Sequence, residues 1–141
     1  MSNNNTNLTQ QNTLTQIETF YDEAKTQINK RYYIDKNDLK QDLFESFYEN
    51  GILKVKCFYK NGKLDGLYEE FYENGKLREK YTYKDDKKNG LSELFHINGQ
   101  LRAKYNCKDG KLEGAIEQFI EDGKKIAEYA YKDGDIHIKM E

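Results

Sequence analysis

Between residues 43 and 140, apolar and polar side chains alternate in short runs broken by Asn-Gly, Asp-Gly and Asp-Asp steps. Such period-2 alternation bounded by turn residues is the mark of β-strands. It predicts strands near 43–49, 52–60, 67–73, 76–84, 91–97, 100–108, 115–121, 124–132 and 135–140, joined without a crossover helix as an antiparallel meander. The pattern itself recurs. Phe47-Tyr-Glu-Asn-Gly51, Phe71-Tyr-Glu-Asn-Gly75, Phe95-His-Ile-Asn-Gly99 and Phe119-Ile-Glu-Asp-Gly123 each place their Phe 24 residues after the last. A fixed period in this range builds a fold by stacking one supersecondary unit, each copy burying its apolar surface against its neighbours.

Each copy has two turns. Asn50-Gly51, Asn74-Gly75, Asn98-Gly99 and Asp122-Gly123 read as two-residue type I′ hairpins, because both central residues tolerate positive φ. Asn61 to Gly66, Asp85 to Gly90 and Asp109 to Gly114 read as a second, looser turn. A two-residue turn at Asn74-Gly75 sets Glu73 opposite Lys76, and predicts the pairs Tyr72 with Leu77, Phe71 with Arg78, Glu69 with Lys80 and Tyr68 with Tyr81. The same register sets Glu45 opposite Lys56 and Glu93 opposite Lys104, and opposed unlike charges stabilise a sheet by roughly 0.2–1 kcal/mol each. The fourth copy departs from this. Glu117 faces Glu128, and Lys125 stands where the other copies have Leu53, Leu77 and Leu101, as expected of a divergent terminal repeat.

The start of the chain differs in kind. Residues 1–14, rich in Asn, Thr and Gln, are expected to be a disordered leader. Thr15-Gln-Ile-Glu18 fits a capping box, and Ile17, Phe20, Tyr21, Ala24 and Ile28 recur at helical spacing, predicting a helix over 15–32. That helix would either cover the open edge of the first strands or contact a partner. The repeat domain is expected over 33–141.

The run of Tyr or Phe, Asn-Gly, Leu, a Tyr-rich strand and Asp/Asn-Gly-Lys-Leu-Asp/Glu-Gly resembles the variant MORN repeat. This is the type found in bacterial YwqK-like proteins, usually classed as antitoxin or immunity components. The resemblance covers about residues 33–141. It begins with a half-copy, Tyr33 to Ser46, in which Asp38 and Asp42 replace the glycines Gly62 and Gly66. It implies a mainly β, elongated, single-layer meander of hairpin repeats that binds a protein.

Composition narrows the setting. With 34% charged residues and a net charge of −2, the chain is neither apolar enough to span a bilayer nor basic enough to bind nucleic acid nonspecifically. It opens without the basic and apolar segments of a signal peptide, so cytoplasm is the expected location. Abundant Asn, Lys, Ile and Tyr without Pro suggests a bacterial or phage genome.

Candidate chemistry is sparse. His96 takes a position held by Tyr48 and Tyr72, which fits substitution within a repeat better than acid/base work. Cys57 and Cys107 lie four strand steps apart, about 19 Å at ~4.8 Å per step, beyond the reach of a disulfide. They are expected as free thiols of a reducing compartment. No cofactor or metal site is implied: the ligand-type residues are not clustered, and Lys63, Lys87 and Lys111 stand in the turns that calcium would need. What remains is surface. Strand parity places Phe44, Tyr48, Tyr59, Tyr68, Tyr72, Tyr81, Tyr83, Tyr105, Tyr129 and Tyr131 on one face, and Phe47, Phe71, Phe95 and Phe119 on the other among paired charges.

Tyrosine supplies large rigid contact area with a polar tip, so Tyr48, Tyr59, Tyr68, Tyr72, Tyr81, Tyr83 and Tyr105 are the candidate partner-binding residues. The competing reading is that these rings only shield one another. The expectation is a non-enzymatic module that neutralises a protein partner such as a toxin or nuclease, without direct nucleic-acid or membrane contact. The alternatives are a phage inhibitor of a host defence nuclease, with an acidic tyrosine-rich surface filling a basic channel, and a structural scaffold.

Overall fold

A computed structural model describes residues 13–132 and 135–139. Its strands are β1 (Thr15–Phe20), β2 (Ile28–Ile34), β3 (Asp42–Phe47), β4 (Leu53–Lys60), the two-residue β5 (Lys63–Leu64), β6 (Gly66–Phe71), β7 (Leu77–Lys84), the two-residue β8 (Lys87–Lys88), β9 (Gly90–Phe95), β10 (Leu101–Lys108), β11 (Lys111–Phe119), β12 (Lys125–Lys132) and β13 (Asp135–Lys139). They form one antiparallel sheet in chain order, β1-β2-β3-β4-β6-β7-β9-β10-β11-β12-β13, with β5 beside β4 and β8 beside β7. The predicted meander is present.

The predicted N-terminal helix is not. Among the described residues there is no helix, and 15–32 fold as β1 and β2, with Thr15 opposite Ile34 and Glu18 opposite Arg31. A short apolar run fits either period, and tertiary pairing decides it. Phe20-Tyr21-Asp22 is a displaced copy of Phe47-Tyr48-Glu49. Its loop is longer, closed by Tyr21 N–H to Gln27 C=O at 3.0 Å, with the Asp22 carboxylate accepting the amides of Thr26 and Gln27, each at 3.0 Å. The Thr26 hydroxyl, which also donates to this carboxylate, and then the Gln27 amide hold the Asp22 carboxyl below its usual value. Of the expected leader, residues 1–12 lie outside the described residues.

The turns are of the two expected kinds in exchanged places. At the Phe-side turn, Tyr72 N–H bonds to Lys76 C=O at 2.8 Å and Gly75 N–H to Tyr72 C=O at 2.9 Å, with Gly75 at φ 87°. This is a type I turn followed by a left-handed glycine, one residue longer than a type I′ hairpin. Phe71 therefore meets Leu77, not Arg78. A bulge between Glu70 and Phe71 absorbs the extra residue, so Glu69 meets Lys80 and Tyr68 meets Tyr81 as predicted. The type I′ geometry sits at the other end. Asn61 and Gly62 (φ 51° and 80°), Asp85 and Asp86 (49° and 67°) and Asp109 and Gly110 (50° and 82°) each carry two successive positive φ angles. Asp38 and Asp42, at φ 62° and 66°, take the left-handed positions of Gly62 and Gly66, a conformation Asp tolerates better than most residues.

One row crosses the whole sheet. Glu18, Arg31, Glu45, Lys56, Glu69, Lys80, Glu93, Lys104, Glu117, Glu128 and Lys139 stand successively opposite one another, one from each strand longer than two residues. Signs alternate except at Glu117 and Glu128. Lys125 repairs that fault, its Nζ lying 3.2 Å from Glu117 and 3.1 Å from Glu128. The Leu-to-Lys change in the last repeat and its like-charge pair thus compensate each other.

Candidate functional site

The opposite face carries the core. Cys57, Tyr81, Ala103, Cys107, Ser46 and Ser92, the buried residues of the described chain, all lie on the tyrosine side by strand parity. Both cysteines are free, and burial pushes the Cys57 thiol up to about 12.

The seven candidate tyrosines fall into three groups. Tyr68, Tyr81 and Tyr83 form a triangle with centroid separations of 5.8, 5.6 and 6.2 Å. Tyr105 joins it through Lys88, whose Nζ is 3.7 Å from the Tyr81 ring centroid and donates to the Tyr105 hydroxyl at 3.3 Å. Tyr59 packs edge-on against Phe44, under Lys40, which lies 5.2–5.4 Å from the rings of Tyr32, Phe44 and Tyr59. Tyr48 and Tyr72 stand at the bulged margin, their hydroxyls donating to the Phe71 and Phe95 carbonyls, both at 2.7 Å. Lys54 and Arg78 lie over those two rings. Burial raises the Tyr68 hydroxyl to about 12, and raises that of Tyr81 further. Tyr81 is only 7% exposed, so its ring serves the core and offers little to a partner.

Cations thus stand over the rings of this face. Lys40, Leu64, Lys88 and Leu112 recur at the 24-residue spacing as a capping row, a signal readable only once the short strands β5 and β8 are known.

The margin bonds form a ladder between copies. Tyr21 donates to Phe47 C=O at 2.6 Å, Tyr48 to Phe71, Tyr72 to Phe95, and His96 Nε2 lies 2.8 Å from Phe119 C=O. A carbonyl only accepts, so His96 carries its proton on Nε2 and does the work of a tyrosine hydroxyl. Asn50, Asn74 and Asn98 add a parallel ladder: each side-chain oxygen accepts an amide in its own turn, and each side-chain amide reaches the next turn's carbonyl at 3.5, 3.3 and 2.9 Å.

In the last two copies this face opens. Two adjoining depressions share Leu94, Ala103 and Gln118; the larger, about 830 Å³, extends to His96, Arg102, Ile120 and Ile126, the other to Tyr105 and Leu112. Both are lined by Ala103, small where earlier copies have Val55 and Glu79. Ile126 on its wall is 56% exposed. The sequence reading missed this furrow, because it requires comparing columns across repeats in the bulged register.

Residues 43–61 and 64–85 match the family profile described as MORN repeat variant. These residues carry variant MORN repeats. No curated protein matches it. Among solved structures it is similar to one described as the crystal structure of TarM, at 11% identity and a TM-score of 0.42, covering 96% of this chain and 23% of that one. A point mutant of S. aureus TarM in complex with Fondaparinux, alpha-GlcNAc-glycerol and UDP gives 11% identity, a TM-score of 0.43 and the same coverages. The chain thus spans 23% of the length of either structure.

One MORN copy carries a charge pair the others lack. Glu70 and Glu79 stand directly opposite each other on the tyrosine face, flanked by Val55 and Leu94, where the other copies pair Ser46 with Val55, Leu94 with Ala103 and Gln118 with Ala127. Desolvation, followed by a hydrogen bond with Glu79, raises the Glu70 carboxyl above its ordinary value. Burial, and then the neighbouring Glu79 side chain, raise the Tyr81 hydroxyl as well. No group of three or more His, Cys, Asp or Glu among the described residues could hold a metal ion, and no helix there is long and apolar enough to cross a membrane.

Proposed function

We propose that the chain is a non-enzymatic protein-binding module that inhibits or neutralises its partner in the cytoplasm, in the manner of the YwqK-like antitoxin and immunity proteins that its repeat resembles. The observation that carries this reading is the furrow on the tyrosine face of the last two repeats. The charge row on the other face neutralises itself across the sheet, whereas the furrow leaves apolar wall, with Ile126 56% and Ile120 37% exposed. Apolar surface beside aromatic rings is the usual centre of a protein interface. His96, the best candidate for acid/base chemistry, is occupied by the Phe119 carbonyl.

The test is affinity purification from a bacterial host with the parent chain and with Ile126→Asp, a change at an exposed position, with circular dichroism checking that the variant is folded. A discrete protein retained by the parent and lost by the variant, whose activity falls when the parent is added back, is the expected result. Retention of the same proteins by both chains, or a retained protein whose activity is unchanged, counts against inhibition through this face.

A further inference from the structure

The three margin cations of the tyrosine face, Lys54, Arg78 and Arg102, occupy the same place in successive repeats, yet their surroundings differ. Lys54 lies 5.6 Å from the Tyr48 ring centroid and Arg78 lies 5.7 Å from that of Tyr72. In the third copy the ring is replaced by His96, whose imidazole is drawn onto the Phe119 carbonyl at 2.8 Å. Arg102 is left exposed, without an ion pair, hydrogen bond or aromatic ring among the described residues, at the wall of the apolar furrow. A guanidinium beside desolvating apolar surface is a strong anchor for a carboxylate, since it offers paired N–H donors and the local dielectric is lowered. The floor beside it, Leu94 and Ala103 with Ile126 opposite, takes an apolar side chain. Glu121 and Asp122 also line the furrow.

We infer that Arg102 and the furrow beside it bind a segment of the partner protein in which an acidic side chain neighbours an apolar one. This inference rests on the protein-binding reading above and adds the chemistry of the bound segment.

The test pans a phage-displayed random dodecapeptide library against the full chain, and measures the selected peptides, synthesised with a fluorophore, by anisotropy. Enriched peptides should pair Asp or Glu with Leu, Ile or Phe. Arg102→Ala should weaken them by about tenfold or more, as loss of a charge-assisted pair does. His96→Tyr should also weaken them, by giving Arg102 the ring that Arg78 already has, while Lys54→Ala should change affinity less than about twofold. Circular dichroism of each variant checks that the sheet is intact. Selected peptides that are basic or neutral, or that bind Arg102→Ala as tightly as the parent, overturn the inference and leave the protein-binding reading standing. Failure to enrich any peptide, or tighter binding of a single-stranded oligonucleotide control with the same dependence on Arg102, overturns both.

Discussion

Replacing Glu79 with Gln should stabilise this protein. Glu70 and Glu79 are directly opposed, flanked by the apolar Val55 and Leu94, and like charges so placed destabilise a sheet by about as much as unlike charges stabilise it, roughly 0.2–1 kcal/mol. Gln keeps the shape, keeps an oxygen for the Tyr81 hydroxyl, and adds an amide donor for Glu70. The expected gain near neutral pH is therefore about 0.5–1 kcal/mol, or about 1–4 °C in melting temperature for a domain of this size. The sign with pH follows from the raised carboxyl. A group whose folded pKa lies above its unfolded value stabilises the fold while protonated, and that contribution is lost as pH rises through the folded pKa. In the parent, the penalty from this pair therefore appears as pH climbs above the ordinary glutamate range, and Glu79→Gln should gain least below about pH 4. Thermal melts followed by circular dichroism at neutral and acid pH measure both. A variant that melts at or below the parent near neutral pH, or whose gain is equal at the two pH values, refutes the like-charge account.

Other outcomes follow from the same structure. Gly75→Val should lower stability by about 1–2 kcal/mol, because φ is 87° although no atom lies within 4 Å of the added Cβ, so strain and not collision sets the cost; a thermal melt against Gly75→Ala checks it. Lys125→Leu, which restores the residue of the other copies, should destabilise the last hairpin by leaving Glu117 and Glu128 opposed without their shared lysine, and hydrogen exchange in β11 and β12 reads this directly. Cys57, 1% exposed and with its thiol pushed up to about 12, should resist maleimide at neutral pH until denaturant unfolds the sheet.

Much of the fold was legible because it is written several times. Recurrence of Phe, Asn-Gly and the Glu and Lys positions settled the meander, and three charge pairs emerged correctly even though the turn beneath them was one residue longer than supposed. The bulge between Glu70 and Phe71 cancels the longer turn, so pairs beyond it are right and pairs before it, such as Phe71 with Arg78, are wrong. Only local backbone geometry separates these cases. The first hairpin was misread for a related reason. Its loop, Asp22 to Thr26, has no Asn-Gly, and its apolar spacing fits a helix, whereas Glu18 and Arg31 declare themselves as strand residues only when seen as the start of the charge row.

The candidate site was less legible, since in a repeat protein what is shared builds the scaffold and what differs builds the surface. The tyrosines were singled out for their number, and three of the seven also hold the sheet together: Tyr81 is in the core, and Tyr48 and Tyr72 splice one repeat to the next. The informative positions are the exceptions within otherwise regular columns. Glu70 and Glu79 sit in a column of small and apolar residues, Ala103 is small where Val55 and Glu79 are larger, and Arg102 lacks the ring that its counterparts have. Two of these exceptions open the furrow, and the third has a stability cost at the row leading into it, where Glu79 stands opposite Leu94. A repeat whose only duty was to extend the sheet would have no use for a like-charge pair there.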